Sequence, residues 1–220
     1  FDHSIGVYHL VKKFGGSYVQ QIAALLHDSS HTVFSHTGDW VFSDIGDYFG
    51  EKSYQDQIHL WYVKKQGVPK LLKGQNFKLE NLDPDNKSYT RLEQHYPDMS
   101  ADRIEYNLHT GLIFNIITHD DVEQILSALR FKNDKWFFVD ADLAEKFADL
   151  SLKFTVEFWA AHFNEALNLW GARILKRALK INLITRDDIH FGIDAEVLKK
   201  IKQSDNAEIQ HYLKLLKNEK

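Results

Sequence analysis

Ala23-Ala24-Leu25-Leu26-His27-Asp28-Ser29-Ser30-His31-Thr32-Val33-Phe34-Ser35-His36 is the stretch on which the reading of this chain turns. An apolar run ends on a His-Asp pair, and two more histidines follow within nine positions. His3 stands upstream in Phe1-Asp2-His3-Ser4, so five of the twelve histidines fall within the first 36 residues. Neutral imidazole is the commonest metal ligand, and a neighbouring carboxylate supplies charge for a hard or borderline cation. The cluster points to a metal site and to hydrolytic chemistry.

The surrounding pattern is helical. Ile5, Tyr8, Leu10 and Val11 predict a first helix that breaks at Gly15-Gly16. Ser17 is placed to cap a second, which carries Val19, Ile22, Ala23, Leu25 and Leu26 inward. His27-Asp28 then sits at its C-terminal end, where free carbonyls favour a cation. A third helix is expected around Trp40, Val41 and Phe42, and a fourth over 54–65. Glycine and proline punctuate residues 67–97, which read as a loop or small subdomain. Ser100 caps a helix that runs to about Ile113, and Asp120-Asp121-Val122-Glu123 opens another with a capping-box pattern. Phe131 to Val139 reads as a hairpin around Asn133-Asp134. From Asp140 to about Leu179 the pattern is one long helical stretch, followed by shorter helices over 194–202 and 206–216.

Composition narrows the alternatives. At 220 residues the chain supports one substantial core. The expectation is a single domain with a helical core over 1–130, and a hairpin and helical extension over 131–220 packed on it. Hydrophobic residues at 44% and charged residues at 26% are ordinary for a globular protein. A net charge of −4 supplies no global field for a nucleic-acid backbone. Cysteine is absent, which removes disulfides, thiolate zinc sites and cysteine nucleophiles and suits a cytoplasmic protein. No apolar run reaches the ~18–20 residues that span a bilayer. The chain opens on Phe1 rather than Met and is read as lacking its true N-terminus.

A helical metal site needs ligands converging from several elements. His3 opens the first helix, and His27 and Asp28 end the second. Asp102, in the first turn of the helix within Ser100-Ala101-Asp102-Arg103-Ile104-Glu105-Tyr106, is the best fourth ligand. Here the chain resembles the HD-domain superfamily of metal-dependent phosphohydrolases, with its ordered H…HD…D pattern. Within it, the motifs come nearest the branch of deoxynucleoside triphosphate triphosphohydrolases. Phe1-Asp2-His3-Ser4-Ile5-Gly6-Val7 is similar to that branch's F-E-H-S-L-G-V. His27 to His36 is similar to H-D-L-G-H-G-P-F-S-H, and Asp102 to Tyr106 to D-[KR]-x-[DE]-Y.

The resemblance implies a mainly α HD-domain bundle with His3, His27, Asp28 and Asp102 as ligands. Two nitrogens and two carboxylates suit Mn, Fe, Zn or Ni, with Mg the less natural occupant. It further implies His31, His36 and Asp39 as catalytic groups facing phosphate, His31 and Asp39 forming a proton-transfer pair. Arg103 and Tyr106 would touch the substrate. The chain departs from the family where a His-Glu pair is usual: Tyr54-Gln55-Asp56 stands there, putting Gln55 at a substrate-binding position. Thr110 replaces a deoxyribose-sensing aspartate, and only His162 matches a downstream Tyr-x-His group.

The implied activity is hydrolysis of a phosphate ester or (deoxy)nucleotide phosphate, with a homo-oligomer as the expected assembly and neither membrane nor nucleic acid as partner. The alternative is a catalytically weakened module that binds nucleotide or metal in a regulatory role. His9, His59, His95, His109, His119, His190 and His211 read as ordinary polar contacts. Phe154, Phe158, Trp159, Phe163 and Trp170 read as core.

Overall fold

A computed structural model describes residues 1–43, 52–74 and 77–217. Among them are twelve α-helices and one two-stranded antiparallel sheet, so the fold class is mainly α as the sequence predicts. The chain divides into two compact units, residues 1–28 with 63–159 and residues 29–62 with 160–220. No helix among the described residues is long and apolar enough to cross a membrane.

The first unit contains α1 (Asp2–Lys13), α2 (Tyr18–Leu26), α5 (Val68–Leu71) and a 3-10 turn over Leu79–Leu82. It continues with α6 (Ala101–Ile113), α7 (His119–Ala128), the hairpin β1 (Leu129–Lys132) and β2 (Lys135–Phe138), and α8 (Ala141–Phe154). α4 (Tyr54–Lys65) contributes residues to both units. The start of α1 carries Asp2 and its last turn Lys12 and Lys13, matching the helix dipole at each end. Ser17 Oγ accepts from the Gln20 amide at 3.3 Å and starts α2. Ser100, fully buried, accepts from the Arg103 amide at 3.2 Å and starts α6. α1 packs on both α2 and α6. Val7, Val11, Ala23, Ala24, Ile104, Ile125, Leu129 and Phe154 form the core between these elements.

Two details of this unit differ from the sequence reading. α7 begins earlier than expected, because Thr118 is its cap: its hydroxyl accepts from the Asp121 amide while the Asp121 carboxylate accepts from the Thr118 amide. The long stretch from Asp140 also breaks. After α8 the chain makes a π-helical turn over Thr155–Trp159, where the Thr155 hydroxyl donates back to the Ser151 carbonyl at 2.8 Å. Such a bond competes with the regular ladder at a β-branched pair, Thr155-Val156. The hairpin itself is as predicted. Asn133 and Asp134 have φ of 51° and 59°, the left-handed two-residue turn that matches strand twist, and Lys132 pairs with Lys135.

The second unit contains α3 (Thr37–Ser43), α9 (His162–Lys180), α10 (Arg186–Phe191), α11 (Asp194–Lys202) and α12 (Ala207–Lys217). α3 and α12 both pack on α9 around Phe42, Leu175, Ile189, Ile201 and Ile209. α10 escapes a periodicity reading because it has only six residues; a Thr185–Asp188 capping box starts it.

Candidate metal centre

The helix ends of the first unit bring four side chains together. α2 stops at Leu26, and His27 follows as its C-cap. The His27 Nδ1–H donates to the Ala24 carbonyl at 2.8 Å, one of the carbonyls a helix C-terminus leaves free. This bond leaves Nε2 as the outward-facing atom. On α1, His3 Nδ1–H donates to the Glu105 carboxylate of α6, again directing Nε2 outward. The two rings lie edge to face with centroids 5.1 Å apart.

Both Nε2 atoms converge on carboxylates. Asp102 Oδ1 lies 2.9 Å from His3 Nε2 and 3.3 Å from His27 Nε2. Asp28 contributes Oδ2 at 3.4 Å from His3 Nε2 and Oδ1 at 3.5 Å from His27 Nε2. One donor atom from each of His3, His27 and Asp28 falls within 4.8 Å of the others. The His27 side chain is 5% exposed. The donor set is therefore two imidazole nitrogens, each with its other nitrogen anchored, and two carboxylates. This chemistry fits a borderline divalent ion, and the anchoring is the usual support of metal-bound histidine.

The electrostatics agree with that fit. Burial works against charge on His3, but hydrogen bonds to Asp102 and Glu105 and their charges prevail, raising its pKa to about 10. His27 is raised in the same way by Asp102 and Asp28 against strong desolvation. Burial tends to raise the Asp102 carboxyl, yet the two histidines hold it well below the usual carboxylate range. The carboxylates thus stabilise positive charge here, and a cation taking Nε2 must displace a proton from each ring.

Arg103 and Tyr106 follow Asp102 on α6. Arg103 donates from Nη1 to the Asp98 carbonyl at 2.6 Å and from Nη2 to the Gln94 carbonyl at 2.8 Å, with its guanidinium 3.9 Å over the Tyr96 ring. It binds the loop that precedes its helix. Tyr106, one turn beyond Asp102, meets the edge of Trp159 at 5.9 Å. Burial, with Tyr96 and Asp102 nearby, pushes its hydroxyl up to about 12.

His31, His36, Asp39 and Gln55 belong to the second unit. Their loop runs through Phe34 and Ser35 at φ of 59° and 54°, a left-handed pair costly for a phenylalanine. The Phe34 amide is held by Asp194 Oδ1 at 3.0 Å, and Thr32 Oγ1 donates to the Ser35 carbonyl at 3.1 Å. His31 Nδ1 and Ser35 Oγ share a hydrogen bond of 3.0 Å, and the His31 and His36 rings meet edge to face. Asp39 Oδ2 stands 3.6 Å from His36 Nδ1, while its Oδ1 accepts from the Tyr54 amide at 2.6 Å and so holds the start of α4. Gln55 is half-buried in the first turn of α4. On the same helix His59 is fully buried and shares a 3.0 Å hydrogen bond with Ser30 Oγ, an ordinary polar contact.

Sequence reasoning missed two carboxylates of the first unit. Glu105 was detectable, since it lies three residues after Asp102 and on the same helical face. Glu93 was not, because it stands in the irregular segment. Burial foremost, with the Asp102 charge beside it, pushes the Glu93 carboxyl well above its ordinary range.

No model of a known protein family matches the chain. It is 34% identical over 213 residues to the uncharacterized protein YdhJ of Bacillus subtilis, across 95% of this chain and 62% of that protein. It is 30% identical over 129 residues to the metal-dependent phosphohydrolase cns2 of Cordyceps militaris, across 59% of this chain and 36% of that one. The chain therefore spans less than two thirds of the length of either relative. Its fold is shared with a hypothetical protein from Aquifex aeolicus, at TM-score 0.67 and 17% identity, covering 97% of this chain and 62% of the other. A phosphohydrolase from Bacteroides thetaiotaomicron, BT4208, shares it at TM-score 0.57 and 17% identity, covering 99% and 60%.

Proposed function

We propose that this chain carries the centre of a metal-dependent phosphohydrolase of HD type, acting on a phosphate ester or a nucleotide phosphate. The observation that carries the reading is the convergence of His3 and His27 Nε2 on Asp102 Oδ1, with each Nδ1 anchored elsewhere. The similarity to the Cordyceps metal-dependent phosphohydrolase supports it. His3, His27, Asp28 and Asp102 are the proposed ligands, and a divalent Mn, Fe, Zn or Ni ion the proposed occupant. When bound, such an ion acidifies a water and offsets negative charge on a phosphoryl group.

The residues of the chain do the remainder. Asp28 and Asp102 balance a dication, so the charge of an arriving phosphate meets no uncompensated carboxylate there. The Ala24 carbonyl and Glu105 hold both imidazoles in the tautomer that leaves Nε2 available. The resemblance adds His31, His36 and Asp39 for proton transfer, and Tyr106, Arg103 and Gln55 for the substrate. Nucleotides, deoxynucleoside triphosphates among them, are the substrate class it favours.

Elemental analysis of the purified protein, followed by a panel of nucleotides and phosphate monoesters assayed with the metal found, tests this reading. Bound transition metal and phosphate or pyrophosphate release are expected, with His27→Ala and Asp28→Ala folded but inactive. No bound metal and no release across the panel would overturn it. A second reading, ligand binding without turnover, is favoured by Gln55 in place of an acid–base histidine and by Arg103 being tied to its own loop. It predicts a rise in melting temperature with nucleotide and no product.

A further inference from the structure

We infer that Glu105 is the positioning residue that orients His3, and that residue 6 is glycine so that Glu105 can reach it. The inference rests on the metal-centre reading above. His3 and Gly6 are three residues apart on α1, and Asp102 and Glu105 three apart on α6, so each pair shares a helical face. The two helices pack together, and the Glu105 side chain crosses α1 at Gly6. A Cβ at Gly6 would lie 2.1 Å from Glu105 Oε1, 2.6 Å from Cδ and 2.7 Å from Cγ. An alanine there would displace the whole carboxylate.

Position 6 does not ask for glycine through its backbone conformation. It lies inside a regular helix and is not among the residues with positive φ, where glycine weakens a helix relative to alanine. The space it leaves is filled by a carboxylate with two partners. Oε2 accepts from His3 Nδ1, and Oε1 lies 3.7 Å from His109 Nδ1, one turn further along α6. The Glu105 side chain is only 12% exposed, so water competes weakly for it. In this reading Glu105 acts through His3 and is a positioning residue rather than a ligand. It fixes the ring, keeps the proton on Nδ1 and makes Nε2 a stronger donor, an arrangement whose loss usually costs ~10–100-fold in metal affinity.

The test strips the full chain with a chelator and titrates it with Mn2+ alone, reading affinity by calorimetry and stoichiometry by elemental analysis. Glu105→Ala is expected to weaken Mn2+ binding by ~10–100-fold. Glu105→Gln, whose amide oxygen still accepts from Nδ1 but carries no charge, recovers part of that loss. Gly6→Ala reproduces the Glu105→Ala deficit although it leaves every polar group in place. The double variant binds no more weakly than either single one, since both remove one interaction. Melting of the metal-free proteins checks folding; if Glu105→Ala does not fold, Glu105→Gln and Gly6→Ala carry the comparison. Wild-type affinity in either Glu105→Ala or Gly6→Ala overturns the inference and leaves the metal centre standing. A wild-type chain that takes up no Mn2+ or other divalent ion overturns both.

Discussion

Both Nη atoms of Arg103 donate to backbone carbonyls of its own preceding loop, and its plane lies on Tyr96. A lysine can supply the charge but neither the fork nor the stacking surface. Arg103→Lys should therefore destabilise the protein nearly as much as Arg103→Ala, by ~1.5–3 kcal/mol for hydrogen bonds made by a charged group. Urea denaturation measures this, and full recovery of stability in the lysine variant would show that charge alone matters. Legibility at this scale followed sequence distance. His27-Asp28 announced itself through spacing and position at a helix end, and His3 and Asp102 could be matched to it by motif order. The role of Glu105 depends on where α1 crosses α6, and on a glycine 99 positions away in the chain. Both residues stand in the matched motifs, but their contact becomes visible only where the helices cross.

Helix starts are where short elements were gained or lost. α10 is held by its ends rather than by a periodic face: Thr185 Oγ1 accepts from the Asp188 amide, and Asp188 accepts back from the Thr185 amide while pairing with Lys200. The Lys200 hydrogen bond, then the Thr185 amide, hold the Asp188 carboxyl down at about 2, against 3.8 in the ordinary state. A carboxyl depressed on folding contributes stability above its unfolded pKa and loses it as pH falls through the folded one. Asp188→Asn keeps an oxygen for the Thr185 amide but loses the charge paired with Lys200, and should cost ~0.2–1 kcal/mol at neutral pH, the worth of an exposed ion pair. The gap to wild type should close between about pH 4 and pH 2, which melting curves across that range would follow. A gap that persists at pH 2 would assign the effect to shape rather than charge. Capping chemistry was readable in the sequence at Ser17 and Ser100, where an apolar helix follows. The break after Phe154 was not, because apolar residues continue at helical spacing through Phe158 and Trp159.

Across the whole molecule, helical periodicity and scarce proline made the mainly α class plain. The division into units was invisible by the same means. Residues 1–28 and 63–159 form one compact unit although 34 intervening positions belong to the other. No change in composition marks those boundaries, since the partition follows from which apolar faces meet rather than from any linker. Phe154 is fully buried at the end of α8 and packs against Phe114, Phe158 and Trp159. Phe154→Ala should lower global stability by ~3–5 kcal/mol, the cost of an emptied aromatic site in a core. Calorimetry reads the loss; a shift within ordinary surface variation would mean that the surrounding rings collapse into the space.

The edge contact between Tyr106 and Trp159 gives the protein an optical voice. Indole emission responds to the packing and charge around the ring, and Tyr106 stands one helical turn from Asp102. Light from Trp159 is thereby coupled to events beside that carboxylate, without any attached dye. Among five tryptophans it can be singled out by subtracting the spectrum of a Trp159→Phe chain. Arrival of the proposed ion is expected to change that emission, and stopped flow with Mn2+ would follow it.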